Sequence, residues 1–417
     1  MEAIVARQGP GALSRPHFSA LPPLSLYVHI PWCVRKCPYC DFNSHAAKGE
    51  VPETGYVDAL FADLEFALPS IWGRRVATVF IGGGTPSLFS AAAIDRLLSG
   101  VRARIPLAPE AEITLEANPG TFEREKFAGF RAAGVNRLSL GIQSFDAKHL
   151  QALGRIHDER EARAAAEAAL ALFDNVNFDL MYALPRQTVA EAEADAAAAV
   201  AFAPPHLSLY HLTIEPNTQF HRRPPPVPDE DSAADIEDAV HARLAAAGYH
   251  LYETSAFAQP GRECRHNLNY WQFGDYVGIG AGAHSKLSFA DRIVRQVRYK
   301  QPKQYLERVA AGAPLMENAE VTRDDIGFEF MLNALRLTDG VPARFFAERT
   351  GCPLASIAGE LADAEARGLL ERDATTIRPT PLGRRFLNDL QLLFLRERES
   401  RPRGAPLVRA EPVRDGH

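Results

Sequence analysis

The chain has 417 residues, 46% of them hydrophobic and 24% charged, with a formal net charge of −6, an ordinary globular composition. Basic residues are scattered among acidic ones, which argues against nucleic-acid binding through a one-sided basic stripe. No run of about 18 apolar residues occurs, so no integral membrane segment is expected, and five cysteines are too few and too unevenly spaced for a disulfide scaffold.

Residues 1–24, interrupted by Pro10, Pro16, Pro22 and Pro23 and without an apolar core of signal-peptide length, are expected to form a flexible tail. A strand follows at 25–30, then a cysteine-bearing loop and an amphipathic helix over 56–68. Strands at 76–81, 112–116, 135–142, 177–182 and 207–214 then alternate with helices near 91–101, 123–133, 147–172 and 190–202. Strands separated by helices of this length imply a parallel sheet. Six such units predict an α/β fold, a closed or partial TIM-like β/α barrel, with a doubly wound sheet as the alternative. A proline-rich loop at 222–228 precedes a helix over 232–247.

Beyond about residue 300 the texture changes. Helices over 325–335, 344–350 and 354–366, a hairpin-like pair around Gly368 and Thr376, and a last helix over 380–395 follow the order of a small winged-helix-like domain. The expected division is a barrel with its closing segment over 25–300 and a C-terminal helical domain over 301–396. The polar residues 397–417 are expected to be disordered.

The chemistry is concentrated in His29-Ile-Pro-Trp-Cys33-Val-Arg-Lys-Cys37-Pro-Tyr-Cys40-Asp-Phe42. Three thiols within eight residues imply a metal site in a reducing, cytoplasmic compartment, while Cys264 and Cys352 read as free thiols. Two metal readings stand. A structural zinc would need a fourth ligand, from His29 or His45. A cubane cluster held by three cysteines leaves one iron open to an external ligand. The lack of a second cysteine pair and the apolar Trp32, Tyr39 and Phe42 favour the cluster. Polar motifs also recur at predicted strand ends: Gly82-Gly83-Gly84-Thr85-Pro86, Glu116-Ala-Asn-Pro, Gly141-Ile-Gln143-Ser-Phe, and Asp179. Singly each fits a tight turn, a cap or a core polar residue; together they fit the rim where β/α barrels place chemistry.

Cys33-x-x-x-Cys37-x-x-Cys40, with an aromatic before the last cysteine, resembles the radical S-adenosylmethionine (SAM) superfamily. That resemblance implies a [4Fe-4S] cluster on Cys33, Cys37 and Cys40. It also implies SAM bound at the open iron by its amine and carboxylate, and electron transfer that releases a 5′-deoxyadenosyl radical. From about Tyr27 to beyond His284, and again in the C-terminal domain, the chain resembles one branch of that superfamily. The branch holds oxygen-independent coproporphyrinogen III oxidase and its HemW-type haem-chaperone relatives. SAM contacts are thereby implied for Tyr27, Tyr39, Gly83, Gly84, Thr85, Glu116, Gln143, Arg155 and Asp179. Arg155 suits the methionine carboxylate, and Glu116 and Asp179 suit ribose hydroxyls or the amine.

Within that branch, Phe42 stands where the oxidase has a further cysteine, and only about 24 residues precede the first strand. Both departures resemble the haem chaperones. Arg265-His266-Asn267-Leu-Asn-Tyr270-Trp271 is similar to their His-Asn-x-x-Tyr-Trp motif, which implies haem contacts from His266, Asn267, Tyr270 and Trp271. By chemistry alone, His266 and Tyr270 share a helix face and can ligate haem iron; His266 and Trp271 can equally be packing at the barrel's closing strand. His284 is a second candidate ligand. The resulting expectation is a cytoplasmic haem chaperone holding cluster, SAM and haem. It would be served by an electron donor and a haem-acceptor protein, would bind no nucleic acid, and is compatible with oligomer formation. The alternatives are a coproporphyrinogen III oxidase and a zinc-stabilised barrel without redox chemistry.

Overall fold

The computed structural model describes residues 15–120 and 123–396, so the expectations for 1–14 and for the tail 397–417 lie outside the described residues. β1 (Leu24–Ile30) leads into two short parallel pieces, β2 (Trp32–Cys33) and β3 (His45–Ala46), that bracket the cysteine loop. Then come β4 (Val76–Gly83), β5 (Leu107–Ala117), β6 (Arg137–Gln143), β7 (Val176–Tyr182) and β8 (His206–His211). Each is added parallel to the previous strand of the sheet. The crossovers are α1 (Glu53–Ile71), α2 (Ala91–Arg104), α3 (Glu123–Ala133), α4 (Ala147–Ala152), α5 (Glu159–Leu172) and α6 (Val189–Ala201). Capping boxes begin two of these helices, Asp158 with Glu161 and Thr188 with Glu191, which fixes where strand-end loops turn back.

After β8, α7 (Gln219–Arg222) and α8 (Glu230–Ala246) lead to β9 (His250–Glu253) and β10 (Ala256–Ala258), added antiparallel beyond β8. Helix α9 (Arg265–Trp271) crosses to the other side, where β11 (Asp275–Ile279) pairs parallel with β1. β12 (His284–Ser288) and β13 (Ile293–Arg298) follow, and after α10 (Pro302–Ala310) comes β14 (Leu315–Glu320), all three antiparallel. The twelve-stranded sheet runs β14-β13-β12-β11-β1-β4-β5-β6-β7-β8-β10-β9, and its end strands do not pair. The barrel is therefore partial. The sheet extends to Glu320, past the boundary expected at residue 300, because β12–β14 form a meander without the helices that mark parallel units.

The C-terminal domain comprises α11 (Arg323–Ala334), β15 (Val341–Pro342), α12 (Arg344–Thr350), α13 (Ala358–Ala366), β16 (Leu370–Arg372), β17 (Thr376–Pro379), α14 (Pro381–Arg385) and α15 (Leu387–Leu392). Its small sheet has the order β15-β17-β16. The single last helix expected over 380–395 breaks at Phe386, whose φ of −111° leaves the helical range. Residues from Arg15, expected within the flexible tail, instead lie against the β12–β13 turn, where Arg15 pairs with Asp291, and against this domain. Phe18 is buried in its apolar cluster and the His17 amide donates to the Gly351 carbonyl at 2.9 Å.

Candidate cofactor site

Strand side chains alternate between two environments. Leu26, Val28, Val79, Ile81, Leu115, Leu138, Leu140, Phe178 and Leu207 pack with the surrounding helices in one apolar core. The intervening Ser25, Thr78, Thr114, Glu116, Ser139, Asn177, Asp179 and His206 are buried polar groups of the barrel interior. Several of them bond to one another. The Asn177 amide donates to Asp179 Oδ1 at 2.7 Å and to Ser139 Oγ at 2.8 Å, and Ser139 Oγ donates to Asp179 Oδ2 at 3.0 Å. Asn177 Oδ1 lies 2.7 Å from His206 Nδ1, and His206 Nε2 lies 2.9 Å from the Tyr252 hydroxyl.

At the strand C-termini the cysteine loop is tied down by backbone bonds: Gly84 N to Ile30 O (2.8 Å), Thr85 N to Trp32 O (2.7 Å) and Ala47 N to Cys33 O (2.8 Å). The glycine run makes this approach possible. Gly83 has φ +119°, and a Cβ there would sit 2.6 Å from the His29 ring; one on Gly84 would sit 2.5 Å from the Trp32 carbonyl oxygen. Glu116 Oε2 accepts from Gly83 N at 3.0 Å. Burial, then the charge of Asp179, holds the Glu116 carboxyl well above its ordinary pKa. Arg155 spans the rim: Nη2 donates to Asn118 Oδ1 (2.6 Å) and Gly141 O (2.8 Å), and Nη1 lies 3.5 Å from Cys37 Sγ. Asn118 in turn donates to Thr85 Oγ1 at 2.9 Å. Gln143 ends β6 with φ +68°, a left-handed conformation unfavourable for a non-glycine residue.

These groups line one cavity of about 1360 Å³. It brings together Cys33, Cys37, Cys40, Tyr39, Gly83, Gly84, Thr85, Glu116, Gln143, Arg155 and Asp179. Of the expected SAM contacts only Tyr27 is outside its lining; it stacks on Phe80 and its hydroxyl lies 3.0 Å from His29 Nδ1. The cavity continues outward past Tyr182 and His211 to Glu237, His241, Arg384 and Arg385, none of which the sequence singled out.

The His-Asn-Leu-Asn-Tyr-Trp segment is α9, and it sits at the opposite end of the strands. His266 is 1% exposed. Its Nδ1 lies 2.7 Å from Thr78 Oγ1 near the start of β4, and its Nε2 lies 2.9 Å from the Tyr270 hydroxyl. Burial lowers its pKa to about 3. The His266 amide is held by Glu112 Oε1 at 3.1 Å, and the Arg336 guanidinium covers the buried Trp271 ring at 4.2 Å. The expected haem contacts His266, Asn267, Tyr270 and Trp271 are therefore buried in the barrel floor and the seam to the C-terminal domain, not in the cavity. Both ring nitrogens of His266 are already engaged. His284 opens β12, also outside the cavity lining.

A single zinc ion would draw its ligand atoms to within about 2.3 Å of one point. His29, one of the two candidate fourth ligands, has both ring nitrogens engaged, with the Tyr27 hydroxyl at 3.0 Å and the Asn43 carbonyl at 2.9 Å. Three thiols on one loop suit three irons of a larger cubane and leave its fourth iron for an external ligand. Arg155 adds positive charge beside Cys37, and its buried Nε has no partner, so it retains a donor for that ligand.

A thiol triad at the strand ends of an open β/α barrel defines a radical SAM protein. Residues 27–199 match the Radical SAM superfamily and residues 321–386 the HemN C-terminal domain. The chain belongs to the HemW haem-chaperone family. It is 52% identical over 379 residues to the haem chaperone HemW of Escherichia coli (strain K12), covering 90% of this chain and 99% of that one. Against the Haemophilus influenzae HemW it is 48% identical over 383 residues, covering 90% and 99%. The solved coproporphyrinogen III oxidase HemN of Escherichia coli, a radical SAM enzyme, superposes with a TM-score of 0.77 at 26% identity, covering 90% of each chain. Membership of the radical SAM superfamily brings a [4Fe-4S] cluster and SAM. No helix among the described residues is long and apolar enough to cross a membrane.

Proposed function

We infer that the protein binds haem and delivers it to an acceptor protein, with a [4Fe-4S] cluster on Cys33, Cys37 and Cys40 and SAM at the adjoining strand ends. The observation that carries this reading is full-length similarity to proteins named haem chaperone. The cavity supports it: about 1360 Å³ exceeds the roughly 300–1,000 Å³ of a pocket for one small ligand. Tyr39, Gly83, Gly84, Thr85, Glu116, Gln143, Arg155 and Asp179 would hold SAM, with Arg155 on its carboxylate and Glu116 and Asp179 on its hydroxyls or amine. Tyr27 would support the site from below. When bound, cluster and SAM supply one-electron chemistry; the chain itself orients the cofactor and holds the Glu116 carboxyl well above its ordinary pKa. An electron donor would serve the cluster in the cytoplasm; no nucleic acid is required, and self-association is compatible with the reading.

The structural likeness to HemN favours a second reading, oxidative decarboxylation of coproporphyrinogen III. One anaerobic, cluster-loaded sample separates the two. With haem added, the absorption spectrum should acquire the bands of protein-bound haem. With coproporphyrinogen III, SAM and a reductant, no protoporphyrinogen should form. Robust turnover would overturn the chaperone reading.

A further inference from the structure

We propose that the outer half of the cavity, between the ends of β7 and β8, helix α8 and helices α14–α15, is the haem site, with His211 as iron ligand and Arg384 and Arg385 holding the propionates. This deepens the haem-carrier reading and rests on it. The cofactor groups occupy only the strand-end half of the cavity, and the outer half carries functional groups with no other task.

His211 is the last residue of β8 and lines the cavity. The edge of its ring meets Tyr182 at a centroid distance of 5.4 Å, and among the described residues neither ring nitrogen makes a hydrogen bond. The His211 side chain is exposed to the cavity; partial desolvation lowers its pKa against the opposing charge of Glu237, toward the neutral imidazole that ligates haem iron. His241, on α8, packs its ring against Phe257, and its Nε2 lies 4.0 Å from Glu237, beyond hydrogen-bond distance.

Arg384 and Arg385 end α14 and face the same space. Three nearby arginines of this domain are paired, Arg367 with Asp363, Arg372 with Glu365 and Arg378 with Glu371. Among the described residues, Arg384 and Arg385 have no carboxylate partner. Two unpaired guanidinium groups at a cavity mouth suit the two carboxylates of a haem edge. Leu251, Leu332, Leu335 and Leu387 supply apolar lining for the macrocycle.

The test titrates haem, and separately haem dimethyl ester, into the full-length, cluster-loaded protein under anaerobic conditions. His211→Ala should displace the Soret band and weaken haem binding by roughly tenfold or more. The doubly substituted Arg384→Ala, Arg385→Ala protein should weaken haem binding while leaving the ester's affinity unchanged. Iron and sulfide content report that each variant is folded. If wild-type protein binds haem and neither variant changes band or affinity, this site is wrong and the carrier reading stands. If wild-type protein binds no haem at all, both fall.

Discussion

At the scale of single residues, the cysteine triad and most rim groups were legible in the sequence because their information is local. Close thiol spacing and a glycine run followed by Thr-Pro can be read without knowing what lies opposite. Asn118 and His211 were not legible, since their importance depends on a partner across the sheet: Asn118 matters because Arg155 reaches it. Glu116 gives a prediction at this scale. Its pKa is raised by burial first and by Asp179 second, so the folded chain holds a proton that the unfolded chain releases. Its contribution to stability is most favourable below about pH 4.3 and is lost as pH rises toward the folded value. Glu116→Gln is permanently neutral and keeps an oxygen for the Gly83 amide. It should melt no lower than wild type at pH 8, with an advantage that shrinks in acid, while SAM binding weakens. Thermal melts across pH and a SAM titration check both halves; a lower melting temperature at pH 8 would contradict the upward shift of the buried carboxyl.

At the scale of elements, parallel units were readable from the alternation of strand and helix, but short antiparallel strands were not. β9, β10 and β12–β14 carry no helix between most neighbours and too few residues to show a period. Helix α9 was legible as a motif, yet its orientation was not: an i, i+4 pair reports that His266 and Tyr270 share a face, not which end of the barrel that face meets. His266→Ala would remove both ring hydrogen bonds, to Thr78 and to Tyr270, and leave a cavity. A loss of about 2–4 kcal/mol is expected in urea unfolding. A stability change below about 0.5 kcal/mol would mean that the residue is not part of the floor.

At the scale of the whole molecule, an open sheet must be held in its curve by something other than closure. Asp275 at the start of β11 meets Lys286 of β12 at 3.0 Å and Arg74, just before β4, at 2.8 Å, so one buried carboxylate spans both flanks of β1. Burial alone would raise its pKa, but Lys286, Arg74 and the hydrogen bonds from Ser288 hold it below the ordinary value. The stabilisation is therefore present above the unfolded pKa of about 3.9 and is lost as pH falls through the folded one. Asp275→Asn should cost about 3–5 kcal/mol at pH 7, converging on wild type in acid; chemical unfolding at pH 7 and pH 3 measures the difference. Such long-range pairings escape a sequence reading, because Arg74 and Asp275 have no local relation that marks them as partners.

The polar interior also has a direction. Asn177 gives its amide hydrogens to Asp179 and Ser139, so its carbonyl oxygen must face His206. His206 then carries its proton on Nδ1, its Nε2 takes the Tyr252 hydroxyl proton, and the Tyr252 oxygen is left to receive the Cys264 amide at 3.2 Å, at the cap of α9. A negative charge at the rim thus orients a column of dipoles down to the floor. Neutralising Asp179 removes the reason for that polarity, and the tautomer of His206, a residue out of reach of any ligand in the cavity, becomes the group that registers it.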